Sequence, residues 1–187
     1  MTVLYLVRHG ETQWSRQGRY TSVSDVALTA DGQAQAEHLR SRLQADDFGL
    51  VLASPRLRAQ QTAELAGFRP IIDPDLAEWF YGEFEGLTRA ELDHRSPDWH
   101  VWRRDPPGGE TAAQVEARLT RVVERVQASG VDRAICFSHG HALRVLACAW
   151  IGLSLRHGGA LPLDPASISV LGYDDTWPAI LRWNLTD

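Results

Sequence analysis

The chain contains no lysine; all 19 of its Lys-plus-Arg positions are arginine. Arginine keeps its charge and presents a planar fork that fits oxyanions, although genome composition alone also produces such a bias. Net charge is −5, which leaves no electrostatic footprint for nucleic acid. Cysteine is scarce as well. Cys136 falls in an apolar strand pattern and Cys148 in an apolar helix pattern, so they read as reduced core residues and exclude a disulfide framework. No apolar run approaches the ~18–20 residues of a membrane span. Neither a basic flank nor a cleavage site accompanies Met1-Thr2. The expectation is a cytoplasmic protein with no membrane partner. Internal repeats and low-complexity segments are also missing, and 187 residues suit one domain over 1–187.

What is present is an alternation of short apolar runs with helical patterns, the mark of a three-layer α/β/α fold around a mostly parallel sheet. Val3 to Val7 is apolar at every position, as in a strand covered on both faces. Further strands are expected at 49–53, 71–72 and 132–138. Thr29 caps a helix to about Ala45. Ser54 as N-cap and Pro55 at the first helical position open another over 56–66. Thr88-x-x-Glu91 and Thr111-x-x-Gln114 are capping boxes, the second starting a helix to about Ala128. A last helix covers about 141–151, and a hairpin follows over 167–173 and 178–183, turning at Asp174-Asp175. Residues 14–28 read as irregular. The stretch 73–109 is rich in loops and aromatics, a composition that suits a functional wall or lid.

Two strand endings resemble each other. Arg8-His9-Gly10 follows the first apolar run, and Ser138-His139-Gly140 follows Ile135-Cys136-Phe137. In each, the glycine would let a ligand approach the backbone. Ligands of such folds bind at the carboxyl edge of the sheet, and Arg58, in the first turn of the helix after the second strand, faces that edge too. Two imidazoles and two guanidiniums around one pocket suit a phosphoryl group. A neutral histidine can attack phosphorus, provided a carboxylic acid protonates the leaving oxygen. Each residue alone has a bland reading: a surface strand end for Arg8-His9, a solvated charge for Arg58, a helix start for His141, a partner for an indole N–H for Glu78. One site explains their coincidence better than four accidents.

The sequence resembles the histidine phosphatase superfamily, in the branch that includes cofactor-dependent phosphoglycerate mutases. Arg8-His9-Gly10-Glu11-Thr12, Leu28-Thr29-x-x-Gly32, Ser54-Pro55-x-x-Arg58-Ala59, Glu78-x-x-x-Gly82-x-x-Glu85-Gly86, Gly109-Glu110-Thr111 and Ser138-His139-Gly140 carry the resemblance, in order, over roughly residues 3–150. It implies a phosphoglycerate mutase-like fold, His9 as the phosphorylated nucleophile, and Arg8, Arg58 and His139 as phosphoryl-binding groups. It further implies Glu78 as proton donor and then as the base that activates water, with no metal and no cofactor.

Within the branch the chain looks similar to the sedoheptulose-bisphosphatase-like and broad acid phosphatase subgroup. That resemblance implies a phosphomonoesterase acting on a small phosphorylated metabolite such as a sugar phosphate. Ser15, Tyr20, Thr21, Ser22, Gly140 and His141 are candidate rim contacts, with ordinary loop and cap roles equally open. Ser15 stands where many members carry Asn, and Thr21-Ser22 where many have Thr-Gly or Gln-Gly. A mutase of this framework would carry an extra helical insertion between Gly86 and Glu110, where only 23 residues stand here; the short spacing favours hydrolysis. A catalytically silent phospho-ligand-binding module is a third reading. His139-x-His141 without clustered carboxylates makes a poor metal site. The exposed edge of the C-terminal hairpin could pair in a homodimer.

Overall fold

The computed structural model describes residues 1–186. Strands β1 (Val3–Arg8), β2 (Leu50–Ala53), β3 (Ile71–Ile72), β4 (Arg133–Ser138), β5 (Ile168–Asp174) and β6 (Trp177–Leu185) form one sheet in the order β3-β2-β4-β1-β5-β6. The first four in that order run parallel, and β5 joins β1 antiparallel. Helices α1 (Gln13–Arg16), α2 (Ala30–His38), α3 (Leu57–Leu65), α4 (Arg89–Arg95), α5 (Ala112–Ala128) and α6 (Gly140–Trp150) complete the chain, with short 3₁₀ turns between.

The continuous apolar runs have a direct consequence, because alternate residues of one strand serve opposite faces. Leu4 and Leu6 of β1, with Ala134 and Cys136 of β4, pack into the core beneath α5 and α6. Val7, Ile135 and Phe137 pack instead against Leu39, Ala63 and Phe68 on the α2 and α3 side. This gives three layers with two cores.

Chain direction then places the site. The chain leaves β1 toward the α2 and α3 face and leaves β4 toward the α6 face. Neighbouring parallel strands whose exits diverge open a crevice at their carboxyl ends. In the register of β1 and β4, Arg8 pairs with Ser138, so His9 and His139 emerge side by side.

Several expectations change in detail. The helix begun at Thr29 stops at His38 and tightens into a 3₁₀ turn over Leu39–Ser41, short of Ala45. Ser54 is not the N-cap of α3. Arg56 holds that position, and the Asp25 carboxylate, from the distant loop, accepts the Leu57 N–H at 2.7 Å. The region read as irregular contains α1, closed by a Thr12–Ser15 capping box. The hairpin turns at Asp175-Thr176, with Asp175 at φ +56. Stretch 73–109 forms a wall of the cavity, to which it gives Glu78, Tyr81 and Arg89, and it anchors that wall by burying Trp79, Tyr81, Phe84, Trp99 and Trp102 in the cluster that holds α5 and α6.

Candidate active site

A cavity of about 210 Å³ opens at the carboxyl ends of β1 and β4. Of the residues singled out by sequence, Arg8, His9, Ser15, Tyr20, Thr21, Glu78, Gly140 and His141 line it. Arg58 and His139 are fully buried and are not among the lining residues, although the His139 ring lies beside that of His9. Ser22 also lies outside the lining. It is buried, and its hydroxyl and amide bind the Glu85 carboxylate.

His9 is held by the backbone. Its Nδ1 lies 2.7 Å from the Gly10 carbonyl, an acceptor only, so Nδ1 carries the proton and Nε2 presents its lone pair. Burial, then the Arg58 and Arg8 guanidiniums, push its pKa well below 6.5 and keep the ring neutral. The adjacent glycine serves packing rather than ligand approach. A Cβ at Gly10 would sit 2.4 Å from the Gly32 carbonyl oxygen, so the start of α2 fixes the turn after His9. The Gly10 N–H donates to Thr62 Oγ1 at 3.0 Å, which ties the same turn to α3.

The His139 ring centroid is 5.2 Å from that of His9, close to the spacing of paired strands. Ser54 Oγ lies 2.7 Å from His139 Nε2 and accepts the Arg56 N–H at 3.3 Å. Among the described residues Nε2 is the only acceptor within reach of the buried hydroxyl's proton, and a neutral ring that accepts there carries its hydrogen on Nδ1. That Nδ1 is buried without a protein partner, as are Arg8 Nε and Arg58 Nε. Native interiors rarely leave such donors unpaired; three around one neutral imidazole describe a place for an oxyanion.

The guanidiniums are themselves fixed. Arg8 Nη1 donates to the Leu163 carbonyl. Arg58 donates to the Ser24 and Thr21 carbonyls at 3.0 and 3.2 Å. The same loop is gripped from its other side by Glu85, which accepts the Ser22 and Ser24 N–H groups.

Glu78 is the one carboxylate among the lining residues. It accepts N–H groups from Trp79, His141 and Ala142 at 2.9, 3.0 and 2.8 Å, so the first turn of α6 aims it. Buried Arg118 on α5 donates to the Asp75, Ala77 and Glu78 carbonyls and pairs with Glu110, which clamps the loop from behind. At Gly140, a Cβ would stand 3.6 Å from the Arg8 guanidinium and 3.9 Å from Glu78, in the space between acid and cation.

Other lining positions are ones sequence reading left without a role. Tyr81, Arg19, Arg89, Arg144 and Leu163 also line the cavity. Arg144 follows His141 by three residues on α6, a spacing that puts both on one helical face and is readable in sequence. Leu163 arrives from a distant loop with no local signal. Among the described residues no cluster of three or more metal-ligating side chains occurs, and no helix is long and apolar enough to cross a membrane.

Comparison with known proteins places the chain in a family. A profile of the histidine phosphatase superfamily, branch 1, matches residues 4–186. The acid phosphatase of Mycobacterium tuberculosis is 40% identical over 176 residues, covering 91% of this chain and 86% of that one. Sedoheptulose 1,7-bisphosphatase of Saccharomyces cerevisiae is 35% identical over 185 residues, with coverage of 81% and 68%. A mycobacterial glucosyl-3-phosphoglycerate phosphatase solved with VO3 superposes with a TM-score of 0.89 at 26% identity, over 99% of this chain and 100% of that one. The chain belongs to the histidine phosphatase superfamily, branch 1. Its activity is that of a phosphoric monoester hydrolase.

Proposed function

We propose that His9 Nε2 attacks the phosphorus of a small phosphorylated metabolite of the sugar-phosphate kind. The N–P bond forms as the ester P–O bond breaks, and Glu78 gives its proton to the departing oxygen. Water then attacks the phosphohistidine and loses its proton to Glu78, releasing phosphate and restoring His9. Arg8, Arg58 and His139 Nδ1–H hold the charge that spreads over the equatorial oxygens, a task of position and fixed field. The observation that carries this reading is a neutral His9, with Nε2 free, beside three buried donors that have no protein partner.

Hydrolysis is favoured over transfer back to substrate because α4 is the only α-helix between Gly86 and Glu110, which provides little to shield a phosphohistidine from water. Buried, unpaired Cys136 and Cys148 support a reducing cytoplasmic setting. The free edge of β6, with Trp177 exposed, supports pairing of two copies.

The test is turnover of a phosphomonoester panel in the presence of a chelator, comparing wild type with His9→Ala. Wild type should be indifferent to the chelator, and the variant should lose all turnover. Activity persisting in His9→Ala would remove the nucleophile assignment.

A further inference from the structure

The cavity extends past the phosphoryl-binding end to an aromatic cage around His141. The imidazole runs parallel to the Tyr20 ring at 6.2 Å and lies 5.8 Å from Tyr81 and 5.2 Å from Trp102. Its backbone N–H is taken by Glu78 at 3.0 Å, which ties its position to the leaving-group acid. The Tyr81 hydroxyl lies 2.6 Å from His141 Nδ1.

One proton arrangement of this pair gives the phenol hydrogen a protein acceptor. Burial drives the Tyr81 pKa well above 10, so the phenol keeps its proton, and among the described residues His141 Nδ1 is the only acceptor within hydrogen-bonding reach of that proton. Burial, then Arg144, Arg8 and His100, push the His141 pKa well below 6.5, so the imidazole is neutral and accepts at Nδ1. A neutral imidazole that accepts through Nδ1 carries its hydrogen on Nε2. Among the described residues Nε2 has no partner, and it is not among the buried unpaired atoms, so it meets the cavity.

We propose that His141 is a specificity-determining residue: Tyr81 fixes its tautomer so that Nε2–H reads a hydroxyl oxygen of the leaving group, favouring phosphomonoesters of polyols and sugars over those of plain alcohols. This deepens the hydrolase reading above and rests on it. A neutral donor fits a neutral acceptor, and it stays a donor across the range where a free histidine would titrate. Tyr81 acts through His141 and is a positioning residue.

The experiment compares kcat/KM for glycerol 1-phosphate and n-propyl phosphate, two primary-alcohol esters that differ in their hydroxyls. Wild type should prefer the hydroxylated ester by about 3- to 10-fold, the range of one net neutral hydrogen bond. His141→Ala should bring the ratio near one, mainly by raising KM for glycerol 1-phosphate more than for n-propyl phosphate. His141→Gln, whose amide N–H reaches the place of Nε2, should restore most of the preference. Tyr81→Phe should lower it, since either tautomer then becomes available. Equal losses on both esters in His141→Ala, or no wild-type preference, would overturn the assignment. Both outcomes are separable from failure of the hydrolase reading, which would show as wild type inactive on either ester or His9→Ala still active.

Discussion

The rings of His9 and His139 lie 5.2 Å apart with planes inclined at 61°, and both are neutral. Their closeness follows from backbone pairing, since each comes directly after a residue in register across parallel strands, Arg8 and Ser138. Their neutrality follows from burial beside Arg58, with Arg8 adding to it at His9. Two uncharged imidazoles can share a site with two cations only because neither takes up a proton. An anion placed among them reverses that field.

That arrangement makes the fold acid-sensitive in a defined window. His9, His139 and His141 all titrate well below 6.5 in the native protein, whereas the unfolded chain takes up these protons near 6.5. Below 6.5 the unfolded chain binds more protons, so stability is complete above that pH and falls as pH falls toward the native values. Three imidazoles together give a slope of up to about 4 kcal/mol per pH unit. Denaturant midpoints measured from pH 8 to pH 5 should decline below 6.5, before most carboxylates titrate. A flat series would contradict neutral native imidazoles.

Ser54 sets the donor that His139 offers. With the hydroxyl replaced, Nε2 loses its partner at 2.7 Å and Nδ1 need no longer carry the hydrogen. Ser54→Ala should lower kcat/KM by about 5- to 10-fold, near 1 kcal/mol of lost preference for one tautomer. Steady-state kinetics alongside a melting curve would check this, and unchanged kinetics in a folded variant would refute it.

Glu85 governs Arg58 without touching it. Its carboxylate accepts the Ser22 and Ser24 N–H groups and the Ser22 hydroxyl, and carbonyls of the same loop accept Arg58. Glu85→Ala should cost about 2 kcal/mol, the worth of hydrogen bonds to a charged group, or roughly 4–8 °C in Tm. Loosening Arg58 should also raise KM across all phosphomonoesters alike, in contrast to the selective effect expected at position 141. A variant with normal Tm and KM would show that the loop holds Arg58 unaided.

Much of the architecture was readable from periodicity. The doubly buried strands, the capping boxes at Thr88 and Thr111 and the amphipathic α5 all appear where the pattern puts them. Capping at α3 was misread because Ser54 satisfies the local rule for an N-cap, while a competing partner, His139, stands 85 positions away. The aromatic stretch supplies a cavity wall through Glu78, Tyr81 and Arg89, but composition alone does not say that its Trp and Phe side chains are covered by α5 and α6.

Sequence alone marked the candidate groups, because strand-end histidines, an arginine in a first helical turn and a glutamate followed directly by aromatics, Glu78, are local signals. It also determined that alternate residues of β1 and β4 would face two cores. Tertiary structure decided the rest: which nitrogen of each imidazole is free, that Arg58 and His139 are buried beside His9, that Ser22 serves Glu85, and that Tyr81, Arg144 and Leu163 belong to the cavity. The physical reason is range. Helix and strand preferences act over a few neighbouring residues, whereas a proton's location depends on every donor, acceptor and charge that folding brings within hydrogen-bonding distance, whatever their separation along the chain.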